Sequence, residues 1–140
     1  MPSEIVVGSD VQNQRQQQAE ALQDALANCC GSENWYQHWM NPRFRYTDGV
    51  KLLADQAGAY WLLDAVVSHQ TDKKIRSSRS LQEFQLWELK VNPDRSCVLT
   101  CRADSDMPPV VAQAIEYTDF PLDYIRLYVE DGVILLPSEH

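Results

Sequence analysis

EFQLWELKV, residues 83–91, decides the fold. Up to about residue 81 the apolar side chains follow helical spacing; from here the period drops to two, the mark of a strand. The turn NPDR (92–95) and SCVLTCRAD (96–104) complete a hairpin. A competing reading is a short helix at 81–86, for which Ser80 and Glu83 have capping-box spacing. Pro108-Pro109 interrupt the chain, and VVAQAIEYTDF (110–120) resumes as a strand, at an edge near its start because proline cannot donate to a ladder. In IRLYVEDGVILLP (125–137), Asp131-Gly132 is a type I′ hairpin signal. It places Val129 opposite Ile134 and Leu127 opposite Leu136.

Upstream the pattern is helical. In VQNQRQQQAEALQDALANCC (11–30), Ala19, Leu22, Ala25, Leu26 and Cys29 recur at helical spacing, and Gly31 is a C-cap signal. The connector GSENWYQHWMNPRFRYTDG (31–49) leads to a second helix running from Asp48 to about His69. Thr47 is its N-cap, Asp48 adds negative charge to the first turn, and Lys51 and Asp55 are spaced for an i,i+4 pair. TDKKIRSSRS (71–80) reads as an exposed loop. Helices first and strands after imply an α+β fold: two N-terminal helices packed on one face of a C-terminal antiparallel meander of four to five strands. The chain reads as a single domain, 1–140, with a loose arm at 1–10, a helical half at 11–80 and a β half at 81–140.

A chain of 140 residues, 44% of them hydrophobic, suits one domain with a real core. No run approaches the ~20 apolar residues of a membrane span. The start MPSEIVVGSD lacks the basic and apolar regions of a signal peptide. The expectation is a soluble cytoplasmic protein that meets no membrane. Residues 1–103 hold twelve acidic and eleven basic side chains, whereas residues 104–140 hold eight acidic ones and Arg126 alone. So acidic a C-terminal third repels phosphates, so no nucleic-acid partner is expected there. It suits a basic protein partner, or mimicry of DNA charge. Cys97 and Cys101 share one face of a strand but sit about 13 Å apart at a strand's rise per residue, too far to share a metal or a disulfide. With Cys29 and Cys30 they read as structural thiols, and no metal site or cofactor is expected.

Asp64 stands out in GAYWLLDAVVSHQ (58–70). On one continuous helix from 48 to 69, Lys51, Asp55, Gly58 and His69 fall in a polar arc, and Asp64 lies on the opposite, apolar side. A carboxylate turned inward needs donors. Those available are the Tyr60 and Ser68 hydroxyls, the Trp35 and Trp39 indoles, and the arginines of RFR (43–45). One reading is a polar pin that docks the connector on the helix. The other is a catalytic site of His38, Asp64 and Tyr60, with Trp35, Trp39, Arg43 and Arg45 as ligand-binding residues. WYQHWM (35–40) would then stack a flat ligand, and Arg43 and Arg45, just before a helix N-terminus, would favour an anion. Lys73, Lys74, Arg76 and Arg79 form the one basic patch, without an aromatic residue to stack a base. No P-loop, dinucleotide, nucleophile-elbow or zinc-protease motif occurs.

Taken together, WYQHW (35–39), YTDGVKLLA (46–54), GAYWLLDAVVSHQ (58–70), EFQLWELKV (83–91), YTDFPL (117–122) and GVILLPSEH (132–140) resemble an uncharacterised family of small bacterial proteins, a domain of unknown function. The likeness spans about residues 33–140 and implies a stand-alone bacterial protein without assigned activity, cofactor or catalytic residues. The leading expectation is a non-catalytic module that binds a protein partner or forms a homodimer. The first alternative is a small enzyme or ligand-binding domain with a pocket between the WYQHW connector and helix 48–69; the second is an acidic DNA-mimic inhibitor.

Overall fold

The computed structural model describes residues 2–27 and 34–140, with side chains from residue 14 onward. Helix α1 covers Pro2–Ala27, β1 Trp35–Gln37, β2 Arg45–Thr47, α2 Asp48–Ala57, α3 Tyr60–Ser68, α4 Lys73–Arg76 and α5 Arg79–Glu83. There follow β3 Phe84–Val91, β4 Cys97–Arg102, β5 Val111–Ile115, β6 Tyr124–Glu130 and β7 Val133–Leu135. Single 3-10 turns occupy His69–Thr71 and Pro137–Glu139. Cys29, Cys30 and the Gly31 cap lie outside the described residues.

The fold is α+β, and the sheet is larger than expected. Instead of four to five antiparallel strands in a meander, seven strands run in the order β1-β2-β7-β6-β3-β4-β5. Every neighbouring pair is antiparallel except β2 and β7, which makes the sheet mixed. The two unforeseen strands lie in the connector, so residues 11–80 are not wholly helical. At three residues each, they are too short for a period of two to emerge. The hairpin registers follow the sequence: Val91 pairs with Cys97 and Val129 with Ile134. Asp131 (φ 51°) and Gly132 (φ 82°) form the left-handed pair of a type I′ turn. That ladder stops at Tyr128–Leu135 rather than reaching Leu136, since Pro137 opens the next turn.

The expected helix 48–69 is broken. Gly58 takes φ 61°, and the N–H groups of Gly58 and Ala59 both donate to Ala54 O, which closes α2. A left-handed residue at a helix end is glycine's usual place. After it α3 restarts in a different phase, burying Leu62, Leu63, Val66 and Val67. Asp64 therefore sits on the flank of α3 rather than in the middle of its buried face. His69 was expected to face water; it is half-buried, bonded to Asp72 (2.8 Å) and Gln113 (2.7 Å) beside the Trp87 ring. The loop expected at 71–80 contains α4 and the start of α5, because fully buried Ile75 anchors it and Ser78, not Ser80, caps α5 through Leu81 N–H. The arm expected at 1–10 is helical backbone from Pro2.

Helices α2 and α3 cover one sheet face. Leu53, Leu62, Leu63 and Val66 pack there on Trp87, Leu89, Leu99, Cys101, Leu127 and Ile134, and α1 adds Leu22. Full burial of such side chains contributes roughly 1.5–3 kcal/mol each. The other face is the more exposed one, as antiparallel sheets allow, although Leu86, Glu88 and Leu135 on it are buried. It carries Glu88, Arg102, Tyr124 and Arg126 near its centre, and the Phe84, Tyr128 and His140 rings beside them.

Candidate functional site

Strands β1 and β2 fold the connector back on itself: His38 N–H donates to Phe44 O and Phe44 N–H to Asn41 O. This brings His38 against α3. Its ring is buried, with Nε2 2.8 Å from Asp64 Oδ1. The Trp39 indole N–H donates to the same oxygen at 2.9 Å. On the far side of the ring, Met40 N–H donates to Nδ1 at 3.1 Å. A backbone N–H can only donate, so Nδ1 is the bare nitrogen and Nε2 carries the proton given to Asp64.

The Asp64 carboxylate, on the flank of α3, thus finds one of its anticipated donors, Trp39, and adds His38. Tyr60 and Ser68 serve elsewhere. The Tyr60 hydroxyl binds Asp55, and that bond pushes its pKa up to about 12. Ser68 Oγ donates to Ala65 O at 2.8 Å. Lys51 makes its expected pair with Asp55 at 2.8 Å. Structure therefore unites His38 and Asp64 but separates Tyr60 from them. A general base needs a free basic nitrogen within reach of substrate, and both nitrogens of His38 are spent. His38, Trp39 and Asp64 together join the connector to α3. None of the three cavities described next is lined by His38, Asp64 or Tyr60.

The proposed ligand residues divide in the same way. Arg45 lies over the Trp35 ring, 5.5 Å from its centroid, on the open sheet face. A groove of about 360 Å³ there includes Trp35, Val133, Leu135, Glu130 and Glu139. Two of its three acids are engaged: Glu130 pairs with His140 (3.2 Å), and Glu139 accepts from the Thr47 hydroxyl (2.6 Å) and Gly49 N–H (3.3 Å); Asp131 is the third.

Arg43 points elsewhere, into a cavity of about 350 Å³ that it shares with Asn41, Gln70, Arg76, Gln82, Gln85 and Asp131. Buried Gln70 and Gln85 exchange two 2.8 Å hydrogen bonds, and the Trp87 indole donates to Gln85 Oε1, also at 2.8 Å. Sequence reasoning missed both glutamines. The available signal was Gln85 itself, which shares the inward face of β3 with Trp87 and Leu89, where a polar residue must find partners.

A third groove, about 340 Å³, lies beside β5 and is lined by Trp61, Ile115, Tyr117, Thr118 and Asp119. β5 is one end of the sheet. Its residues VAQAI include no charge and no proline.

Cys97 and Cys101 lie buried on the helix-covered face, and burial pushes the Cys101 thiol up to about 12. Among the described residues, no three His, Cys, Asp or Glu side chains gather as metal ligands, and no helix is long and apolar enough to cross a membrane.

The family model described as "Family of unknown function (DUF6876)" matches residues 20–140. The chain belongs to DUF6876. The match takes in the last turns of α1, from residue 20, together with the whole sheet, so the mixed seven-stranded architecture lies within the DUF6876 region. No curated protein and no solved structure matches the chain significantly.

Proposed function

We propose that the protein is a non-catalytic binding module that adds an extended, basic segment of a partner protein to the edge of β5. The observation that carries this reading is the unguarded edge. Natural sheets blunt their edges with charge, proline or a bulge, because unpaired backbone groups there recruit other strands. Val111–Ile115 has neither charge nor proline, and the adjoining groove of Trp61, Ile115 and Tyr117 offers a seat for a side chain of the added strand.

Charge selects the kind of segment. Asp104 and Asp106 precede β5, Glu116 and Asp119 follow it, and the whole chain carries −8. Carboxylates at both ends favour lysines and arginines in the partner and disfavour a second copy of the same acidic chain. Strand addition with alternating side-chain pockets is a known recognition mode.

The spent nitrogens of His38 weigh against the enzyme reading. The DNA-mimic reading fares no better, because Asp104, Asp106, Glu130 and Asp131 lie at one end of the sheet and Glu116, Asp119 and Asp123 at the other, by the strand registers. Eight residues of β3, ~25 Å of strand, separate the two groups.

Fluorescence anisotropy with a seven-residue peptide alternating Lys and Val tests the proposal. Micromolar binding is expected, weakened by salt and by Ala112→Lys/Ala114→Lys. Equal binding of a Glu–Val peptide, or a dimer joined through β5 in light scattering, overturns it.

A further inference from the structure

We propose that the cavity between the connector turn and the short helices is a binding site for a small oxyanion, a carboxylate or phosphate ester, held by Arg43 and Arg76. This site is independent of strand addition at β5. It occupies about 350 Å³, within the usual range of small-molecule pockets.

Two arginines line this cavity, one from the connector and one from the end of α4, and both are solvent-exposed. No carboxylate among the described residues pairs with either, whereas Arg102 and Arg126 both engage Glu88. Arginine's planar fork suits bidentate contact with a carboxylate or phosphate. Asn41 supplies a further donor: its side-chain oxygen accepts Arg43 N–H at 3.2 Å, leaving the amide NH2 for a ligand.

The floor is built before any ligand arrives. Gln70 Nε2 donates to Val66 O (3.0 Å) and Gln85 Nε2 to Leu81 O (2.9 Å), in addition to their reciprocal bonds. Every amide hydrogen of the pair is thereby used, so the two arginines need not compete with the floor for an anion. Lys73, Lys74 and Arg79 flank Arg76 on α4 and α5 and raise the local positive potential, which draws anions in. Asp131 is the one acid on the lining. It repels the anion and is placed to accept a hydroxyl or ammonium from the rest of the ligand. The chemistry therefore favours a small polar molecule with an oxyanion at one end and a donor at the other.

Titration at constant ionic strength, followed by 15N NMR, reads the site through the Trp87 indole, which bonds Gln85. Inorganic phosphate and citrate serve as separate probes, with chloride as control. Phosphate or citrate is expected to shift the Trp87 indole signal with a millimolar or tighter Kd, and whichever binds more tightly identifies the class. Arg43→Gln/Arg76→Gln weakens binding at least tenfold, Asp131→Asn tightens it severalfold, and Arg79→Gln leaves it within twofold. Absence of binding by both probes overturns the site. Equal weakening by Arg79→Gln reduces it to diffuse surface charge and overturns it as well.

Discussion

His38 donates Nε2–H to Asp64 while its Nδ1 accepts from Met40 N–H, so one ring ties the connector to α3 and to its own turn. The Nε2–H tautomer is therefore expected in long-range 15N–1H spectra of the native protein. Asp64→Asn keeps an accepting oxygen for His38 and Trp39 and should barely change Tm. Asp64→Ala strands the buried imidazole donor, which costs roughly 1–3 kcal/mol. A drop of a few degrees in Tm for Asp64→Ala but not for Asp64→Asn confirms the pin; equal drops contradict it.

Glu88 sits under the open face with the Tyr124 hydroxyl on one oxygen and Arg102 3.3 Å from the other. Burial by itself would raise its carboxyl, but the Tyr124 bond and the charges of Arg102, Lys90 and Arg126 outweigh it and hold the group below its ordinary value. A carboxylate depressed in the fold contributes stability above its unfolded pKa and loses it as pH falls through the folded value. Denaturant melts should accordingly lose stability below about pH 4.3, the ordinary value for Glu. Glu88→Gln should flatten part of that acid limb and lower stability at neutral pH, because it removes the negative charge that faces Arg102 and Arg126.

Gly49, in the first turn of α2, has no room for a side chain. A Cβ there would lie 2.7 Å from Glu139 Oε1 and 2.7 Å from Leu136 Cδ1. Gly49→Ala is expected to cost about 1–3 kcal/mol, the range for overpacking, by displacing the Glu139 carboxylate from its bonds to the Thr47 hydroxyl and the residue-49 N–H. In Glu139→Ala that obstacle is reduced, so the double variant should fall short of the sum of the singles in urea melts. Strict additivity would show that the two sites do not touch.

Cys97 and Cys101 are buried, with both thiols raised by that burial. Thiolate is the reactive form. In a Cys29→Ser/Cys30→Ser background, labelling by a thiol reagent at pH 8 should proceed no faster than unfolding. Rapid labelling of the native protein would contradict this.

Several features of this protein are set by local sequence and were legible there. The Thr47 cap, the Lys51–Asp55 pair, the Asp131-Gly132 turn and the hairpin 84–102 depend on contacts within a few residues, so residue type and spacing suffice. The DUF6876 membership is sequence information too. Other features were decided only when distant segments met. A three-residue strand such as β2 has no internal pattern, and it exists because β7 supplies its hydrogen bonds. Gly58 was visible, but whether it interrupts a helix or rides within one depends on how α2 and α3 pack on the sheet. That choice rotated Asp64 to the flank and delivered it to His38, 26 residues away. The meeting of Arg43 and Arg76 at one cavity is likewise encoded by no spacing along the chain. Local geometry is written in neighbours; a site is made where chain segments converge.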